Sequence, residues 1–351
     1  MIKNNKLIIS AVLAISVASL ISSCSSSDSK TSKKLKDSTS KDTAVAEEAG
    51  TPEDPSAAID TAKYNHKLIE LANGDTTGRW PVKKQPYPLA GAILPFKRVV
   101  VYYGNMHSKK MGALGEYAPK EMWQRLNAEV KKWEKIDPKT PVQVGIHYIA
   151  DVASGTAGKD GMYINRMPEK QIDSALTIAK MHNAILFLDL QVSLSSIQKE
   201  LPRIEKYLKM PNVHLGIDPE FSMKSGARPG TKIGTYDAAD INFCSEYLAR
   251  LVKENNLPPK IFTVHRFTGK MVTNYQNIKL RPEVQIVMHM DGWGEPDLKL
   301  GTYRYFIFRE PVQFAGFKLF YKNDLKKAPN RMMTPEDLMK LKPLPSYIQY
   351  Q

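Results

Sequence analysis

From Arg98 onward, apolar runs of strand length alternate with amphipathic helical stretches until the chain ends. The apolar runs are Val99–Gly104, Val142–Ala150, Ala184–Leu190, Val213–Ile217, Ile261–Phe267, Val284–Met290, Phe314–Tyr321 and Tyr347–Gln351. Helical patterns fall between them at Pro119–Ile136, Pro168–His182, Leu194–Lys209, Ala238–Asn255 and Gly269–Asn277, with weaker ones around Leu298–Phe308 and Pro335–Leu341. Strands that alternate with helices predict a parallel sheet. Eight of them within about 250 residues predict a closed α/β barrel, the (β/α)8 or TIM-like architecture. An open doubly wound sheet is the competing reading, but no glycine-rich phosphate loop follows any of the strands.

Connection lengths point to one end of such a barrel. Links from helix to strand are short, as at Asp137–Pro141, Met210–Asn212 and Leu257–Lys260. Links from strand to helix are longer and glycine-rich, as at Asp151–Met167, Ser222–Tyr236 and Gly292–Gly301. Elaboration therefore gathers at the carboxyl ends of the strands, where barrels of this kind build their active sites.

The strand ends at that rim are polar. Asp218 and Glu220 close the fourth run two positions apart, so in a strand both side chains point to one face. The same alternation turns inward His147 and Asp151 from the second run and Asp189 and Gln191 from the third. It adds His265 from the fifth, His289 and Asp291 from the sixth, Lys318 from the seventh, and Gln349 or Gln351 from the last. A ring of carboxylates suits glycoside cleavage, which needs a protonated acid at the leaving oxygen and a second group for the ring carbon. Glu220 is the candidate general acid, because Asp218 beside it raises its proton affinity by like-charge repulsion. Asp189 and Asp291 are candidates for base, nucleophile or orienting group. His147, Gln191, His265 and His289 are candidates for binding sugar hydroxyls, and Tyr103 and Trp293 for stacking on sugar faces.

The Asp218-x-Glu220 pair ending the fourth strand resembles that of chitinase-type hydrolases of glycoside hydrolase family 18. Met288-His289-Met290-Asp291 is similar to their Met-x-Tyr-Asp motif. The resemblance implies that Glu220 protonates the leaving group, that Asp218 orients the substrate's acetamido group and that Asp291 supports them. Met290 stands where that family has tyrosine, and His214-Leu215-Gly216-Ile217 replaces its acidic run. Family 25 lysozymes also carry Asp-x-Glu, but Val99–Tyr103 lacks the aspartate they use on the first strand. Across most of the barrel the chain is similar to a group of bacterial exported barrel proteins without an assigned activity. They share the Asp218-Pro219-Glu220, Val264-His265-Arg266-Phe267 and Lys318-Leu319-Phe320-Tyr321 segments.

The amino-terminal residues bear on location. Lys3 and Lys6 precede an apolar run, Leu7–Ile21, which is shorter than the roughly 18 residues a spanning helix needs and reads as an export signal. Ile21-Ser22-Ser23-Cys24 resembles the lipobox of bacterial lipoproteins. It implies removal of residues 1–23, lipid on Cys24, and attachment to a membrane of the cell envelope. Residues 24–63 read as the lipidated cysteine and a disordered linker, because they offer almost nothing to bury. As a flexible coil, positions 25–63 span about 35 Å root-mean-square. Residues 64–97, rich in proline, read as an extended arm packed on the barrel with one short helix at Lys67–Asn73, and 98–351 as the barrel itself.

With Cys24 lipidated, Cys244 has no disulfide partner and belongs to a helix's apolar face. The net charge of +14 sits outside the first 63 residues, which hold eight lysines against eight acids. The lysines fall on helix faces such as Lys131, Lys132 and Lys135 without the aromatic interleaving of a nucleic-acid binder, so no nucleic-acid partner is expected. Three histidines among carboxylates are a possible zinc set. However, the first strand lacks the His-x-His of amidohydrolase barrels and no His-Glu-x-x-His occurs, so neither metal nor cofactor is expected. No Gly-x-Ser-x-Gly elbow suggests a serine esterase. The competing function is a surface lipoprotein that captures carbohydrate in the same cleft without cleaving it.

Overall fold

The structure, a computed structural model, describes residues 59–351. The leader, Cys24 and nearly all of the linker therefore lie outside the described residues. Eight parallel strands form one closed sheet: β1 (Arg98–Gly104), β2 (Val142–Ala153), β3 (Ile185–Leu190), β4 (Val213–Ile217), β5 (Lys260–Arg266), β6 (Val284–Met290), β7 (Phe314–Leu319) and β8 (Tyr347–Tyr350). Each pairs with the next, and β1 pairs with both β8 and β2, which closes the cylinder and leaves no barrel edge unpaired. This is the TIM-like barrel expected from the alternation.

Strand alternation divides the apolar residues into two sets. Val100, Tyr102, Leu186, Leu188, Leu215, Ile217, Val264, Ile286 and Phe317 point outward and pack with the helices in one large core. Val99, Val101, Ile185, Phe187, Ile261, Val287, Phe314 and Tyr347 point inward and fill the lower barrel. Glycine at Gly216 and Gly316 makes room inside. A Cβ at Gly216 would overlap Asp189 and His147, and one at Gly316 would come within 2.6 Å of His289 Nδ1.

Helices α2 (Pro119–Ile136), α3 (Glu169–Met181) and α4 (Ala238–Glu254) cover the outer face, and Cys244 is fully buried on α4. Two expected helices are not continuous. Over 194–209 there are three short pieces, Ile197–Glu200, Leu201–Ile204 and Glu205–Leu208, around Pro202, which cannot donate within a helix. Over 269–277 there are two 3-10 turns flanking Val272–Thr273, which pairs with Tyr236–Asp237. After β6, α5 (Pro296–Tyr303) continues into a π-helical turn, and after β7 come a 3-10 turn at Asn323–Leu325 and one α-helical turn at Pro335–Leu338.

The segment before the barrel closes its floor. Helix α1 (Thr61–Ala72) is longer than the Lys67–Asn73 helix expected and begins inside the stretch read as linker. Asp60 caps it by accepting from Lys63 N–H at 2.9 Å, and Tyr64, Leu68 and Ala72, spaced by one turn each, form its buried stripe. Tyr64, Leu68 and Leu94 join the inward residues of the lower barrel in one cluster. A small cleft of about 110 Å³, lined by Lys67, Glu70, Arg98, Asp137 and Lys139 among others, lies between α1 and the barrel's floor. Among the described residues no helix is long and apolar enough to cross a membrane.

Candidate active site

The upper half of the barrel interior is polar, and its groups are held by contacts across strands. Asp189, at the end of β3, lies at the centre with no solvent exposure. Its Oδ2 accepts from the Tyr103 hydroxyl of β1 at 2.9 Å. Its Oδ1 lies 3.2 Å from His147 Nε2 of β2 and 3.4 Å from His265 Nε2 of β5. His265 Nδ1 is 2.6 Å from Asp291 Oδ2 at the end of β6, and Asp291 Oδ1 is 2.9 Å from Lys318 Nζ of β7. The same ammonium lies 3.7 Å from the centre of the Tyr103 ring. Below, His147 Nδ1 contacts the Tyr347 hydroxyl at 2.5 Å and Gln349 Nε2 at 3.1 Å, so strands β1, β2, β3, β5, β6, β7 and β8 all contribute.

Asp218 and Glu220 complete the group from β4. Gln191 donates from Nε2 to Asp218 Oδ2 at 3.3 Å, and its own Oε1 accepts from Ala153 N–H, which fixes the amide's orientation. Asp218 Oδ1 accepts from the Glu220 backbone N–H at 3.0 Å, capping the 3-10 turn Pro219–Phe221. Asp218 is buried, whereas Glu220 is half-buried and reaches the mouth. Among the described residues no hydrogen bond or ion pair engages the Glu220 carboxyl.

Burial and charge sort these acids into two classes. Burial, together with Asp218 and Asp291, pushes the Glu220 carboxyl up to about 8. Burial also pushes Asp218 up to about 7, reinforced by Asp291 and Asp189 and opposed by His265. Against the same burial, His265 and His147 hold Asp189 far below the usual carboxylate range, and Lys318 and His265 do the same for Asp291. His265 is disfavoured as a cation by burial, yet Asp189 and Asp291 raise it to about 10. Burial keeps His147 neutral, down to about 4, and moves His289 in the same direction. Burial thus raises the proton affinity of the two acids toward the mouth, while His265, His147 and Lys318 lower that of the two aspartates beneath them.

Of the residues singled out in the sequence, Tyr103, His147, Asp189, Gln191, Asp218, His265 and Asp291 are joined by direct side-chain contacts, and Glu220 adjoins them through its backbone. His289 packs edge-on against His265 with ring centres 5.1 Å apart, but neither of its nitrogens has a hydrogen-bond partner among the described residues. Trp293 is 43% exposed beyond β6 with Lys326 Nζ 5.4 Å from its ring, an open aromatic face outside the buried network. Asp151 is not in the group. A bulge between Ile149 and Asp151 shifts the register, so Asp151 turns outward and accepts from Arg203 at 3.0 Å. Met290 also lies outside, in the layer between barrel and helices, so its difference from tyrosine does not alter a side chain within the network. Tyr347 carried no signal in the sequence beyond its apolar run, and Lys318 was visible only as an inward cation.

No protein-family model matches this chain, and no curated protein does. What is shown is a TIM-like barrel with a buried histidine–aspartate cluster at its mouth.

Proposed function

We propose that this chain is a lipid-anchored glycoside hydrolase of the bacterial cell envelope, tethered through Cys24, that cleaves a polysaccharide or cell-wall glycan with Glu220 as general acid. The observation that supports it is the setting of Glu220: half-buried at the carboxyl end of β4, without a hydrogen-bond or ion-pair partner for its carboxyl among the described residues, with burial and the neighbouring Asp218 raising its proton affinity. A general acid must hold its proton at working pH and give it to the departing oxygen as the bond breaks. Asp218, fixed by Gln191 and by the Glu220 backbone, is placed to take a hydrogen bond from the sugar, in the acetamido-orienting role that the family 18 resemblance implies. Asp291, its charge balanced by Lys318 and His265, takes the supporting role that the same resemblance implies. Trp293 offers a stacking face at the rim.

A second reading, carbohydrate capture without cleavage, is favoured by how fully Asp189 and Asp291 are occupied by Tyr103, His147, His265 and Lys318. One comparison separates the two. The purified protein and Glu220→Gln are incubated with cell-wall, plant and host polysaccharides, and new reducing ends are measured. Cleavage by the native protein, lowered about 10²–10⁴-fold in the variant, is the expected result for an acid catalyst. Binding by both with product from neither would establish the capture reading instead.

A further inference from the structure

We propose that His147, Asp189 and His265 form a binding site for a divalent transition-metal ion, zinc by preference, in the barrel beneath the acids of the mouth. Donor atoms of the three residues all lie within 4.8 Å of one another, and all three side chains are fully buried. Both Nε2 atoms face a single oxygen, Asp189 Oδ1, at 3.2 and 3.4 Å. Two ligands about 2.0–2.1 Å from a tetrahedral ion stand about 3.3–3.4 Å apart, so these two spacings match ligands that share an ion, although the first is also within hydrogen-bond reach.

Direction supports the same reading. His265 Nε2 has no hydrogen-bond partner among the described residues, because its approach to Asp189 is poorly aligned. A ring nitrogen aimed beside a carboxylate oxygen, not at it, is free to exchange its proton for a third body. The remaining atoms of the set are already held from behind, as metal ligands generally are. Asp291 holds His265 Nδ1, Tyr347 holds His147 Nδ1, and Tyr103 takes Asp189 Oδ2, so that Oδ1 has only the two histidine Nε2 atoms beside it. Gly216 keeps side-chain atoms away from Asp189 Oδ1 and His147 Nε2. Two imidazoles and one carboxylate are the donors of open zinc sites, in which water or substrate supplies the next ligand.

The metal-free alternative is a His265 imidazolium bridging Asp189 and Asp291. Charge-assisted bonds of about 2.7–2.9 Å would then be expected on both sides of the ring. Only the Asp291 side is that short, at 2.6 Å, while the Asp189 side is 3.4 Å. The metal reading does not depend on the role given to Glu220, and its test reads metal, not sugar.

The purified full-length protein is stripped with chelator, titrated with Zn²⁺ and separately with Co²⁺, and freed of unbound ion. Bound metal, the visible cobalt spectrum and the melting temperature are then measured. One zinc per chain, a tetrahedral-type cobalt absorption and a raised melting temperature are expected. His265→Gln and Asp189→Asn should each weaken zinc at least tenfold, whereas Asp218→Asn should retain it. Absence of stoichiometric zinc in the folded wild-type protein would overturn the proposal, as would undiminished zinc in the folded His265→Gln and Asp189→Asn variants. Where a variant fails to fold, the wild-type protein still decides. Histidine side-chain ¹⁵N spectra should lose the His265 Nε2 proton when zinc is added, and an imidazolium that persists in excess zinc refutes the site.

Discussion

At the scale of single residues, the function proposed depends on a carboxyl that folding makes harder to ionise. The folded protein binds the Glu220 proton more tightly than the unfolded chain does. The stability this contributes is therefore present below about pH 4.5 and lost as pH rises through about 8. Glu220→Gln never ionises, so its melting temperature should exceed that of the wild type by at least about 2 °C at pH 9, and the difference should vanish below about pH 4. Thermal unfolding at the two pH values checks this. An equal difference at both would mean that the carboxyl is not strained by its surroundings. Catalysis should follow the same proton, with kcat/KM falling above about pH 8. The pair itself was legible in the sequence, because a period of two puts Asp218 and Glu220 on one face whatever surrounds them. Asp151 was misplaced for a local reason: one extra residue in β2 reverses the face of every residue beyond it, and a bulge leaves no mark in composition. The part played by Lys318 was hidden differently. Its value lies in neutralising Asp291 on the neighbouring strand, which no single segment records.

At the scale of elements, the strands determine where the site lies and the glycines determine whether it fits. Gly216 on β4 leaves the space into which Asp189 and His147 reach from β3 and β2. Gly216→Ala should therefore destabilise the protein by about 1–3 kcal/mol through overpacking. Gly301, on α5, has nothing within 4 Å of its missing Cβ, so Gly301→Ala should be neutral or stabilising by up to about 1 kcal/mol. Denaturant unfolding of both variants gives the comparison, and equal effects would contradict the packing account. The eight strands were readable because buried parallel strands are nearly continuous apolar runs. The outer layer was less so. The stretch 194–209 has helical periodicity, but Pro202 divides it into single turns, and 269–277 lacks the length to hold a helix once Val272–Thr273 pairs with Tyr236–Asp237.

At the scale of the whole molecule, the barrel is asymmetric along its axis, with an apolar lower half closed by α1 and Leu94 and a polar upper half open at the mouth. The closure was not legible in the sequence, since nothing in an irregular, proline-rich segment says which surface it meets. If α1 is an integral part of the core, Leu68→Ala should cost about 2–5 kcal/mol, lowering the urea midpoint with the slope of the transition unchanged. A loss below about 0.5 kcal/mol would mean that α1 merely rests on the barrel. The stopper also governs traffic. With one end sealed by α1, only the other end, where the half-buried Glu220 lies, gives access to the polar interior. If the proposed function holds, a bound chain across this end would also cut Glu220 off from solvent, so the proton present at capture would be the one available for the reaction.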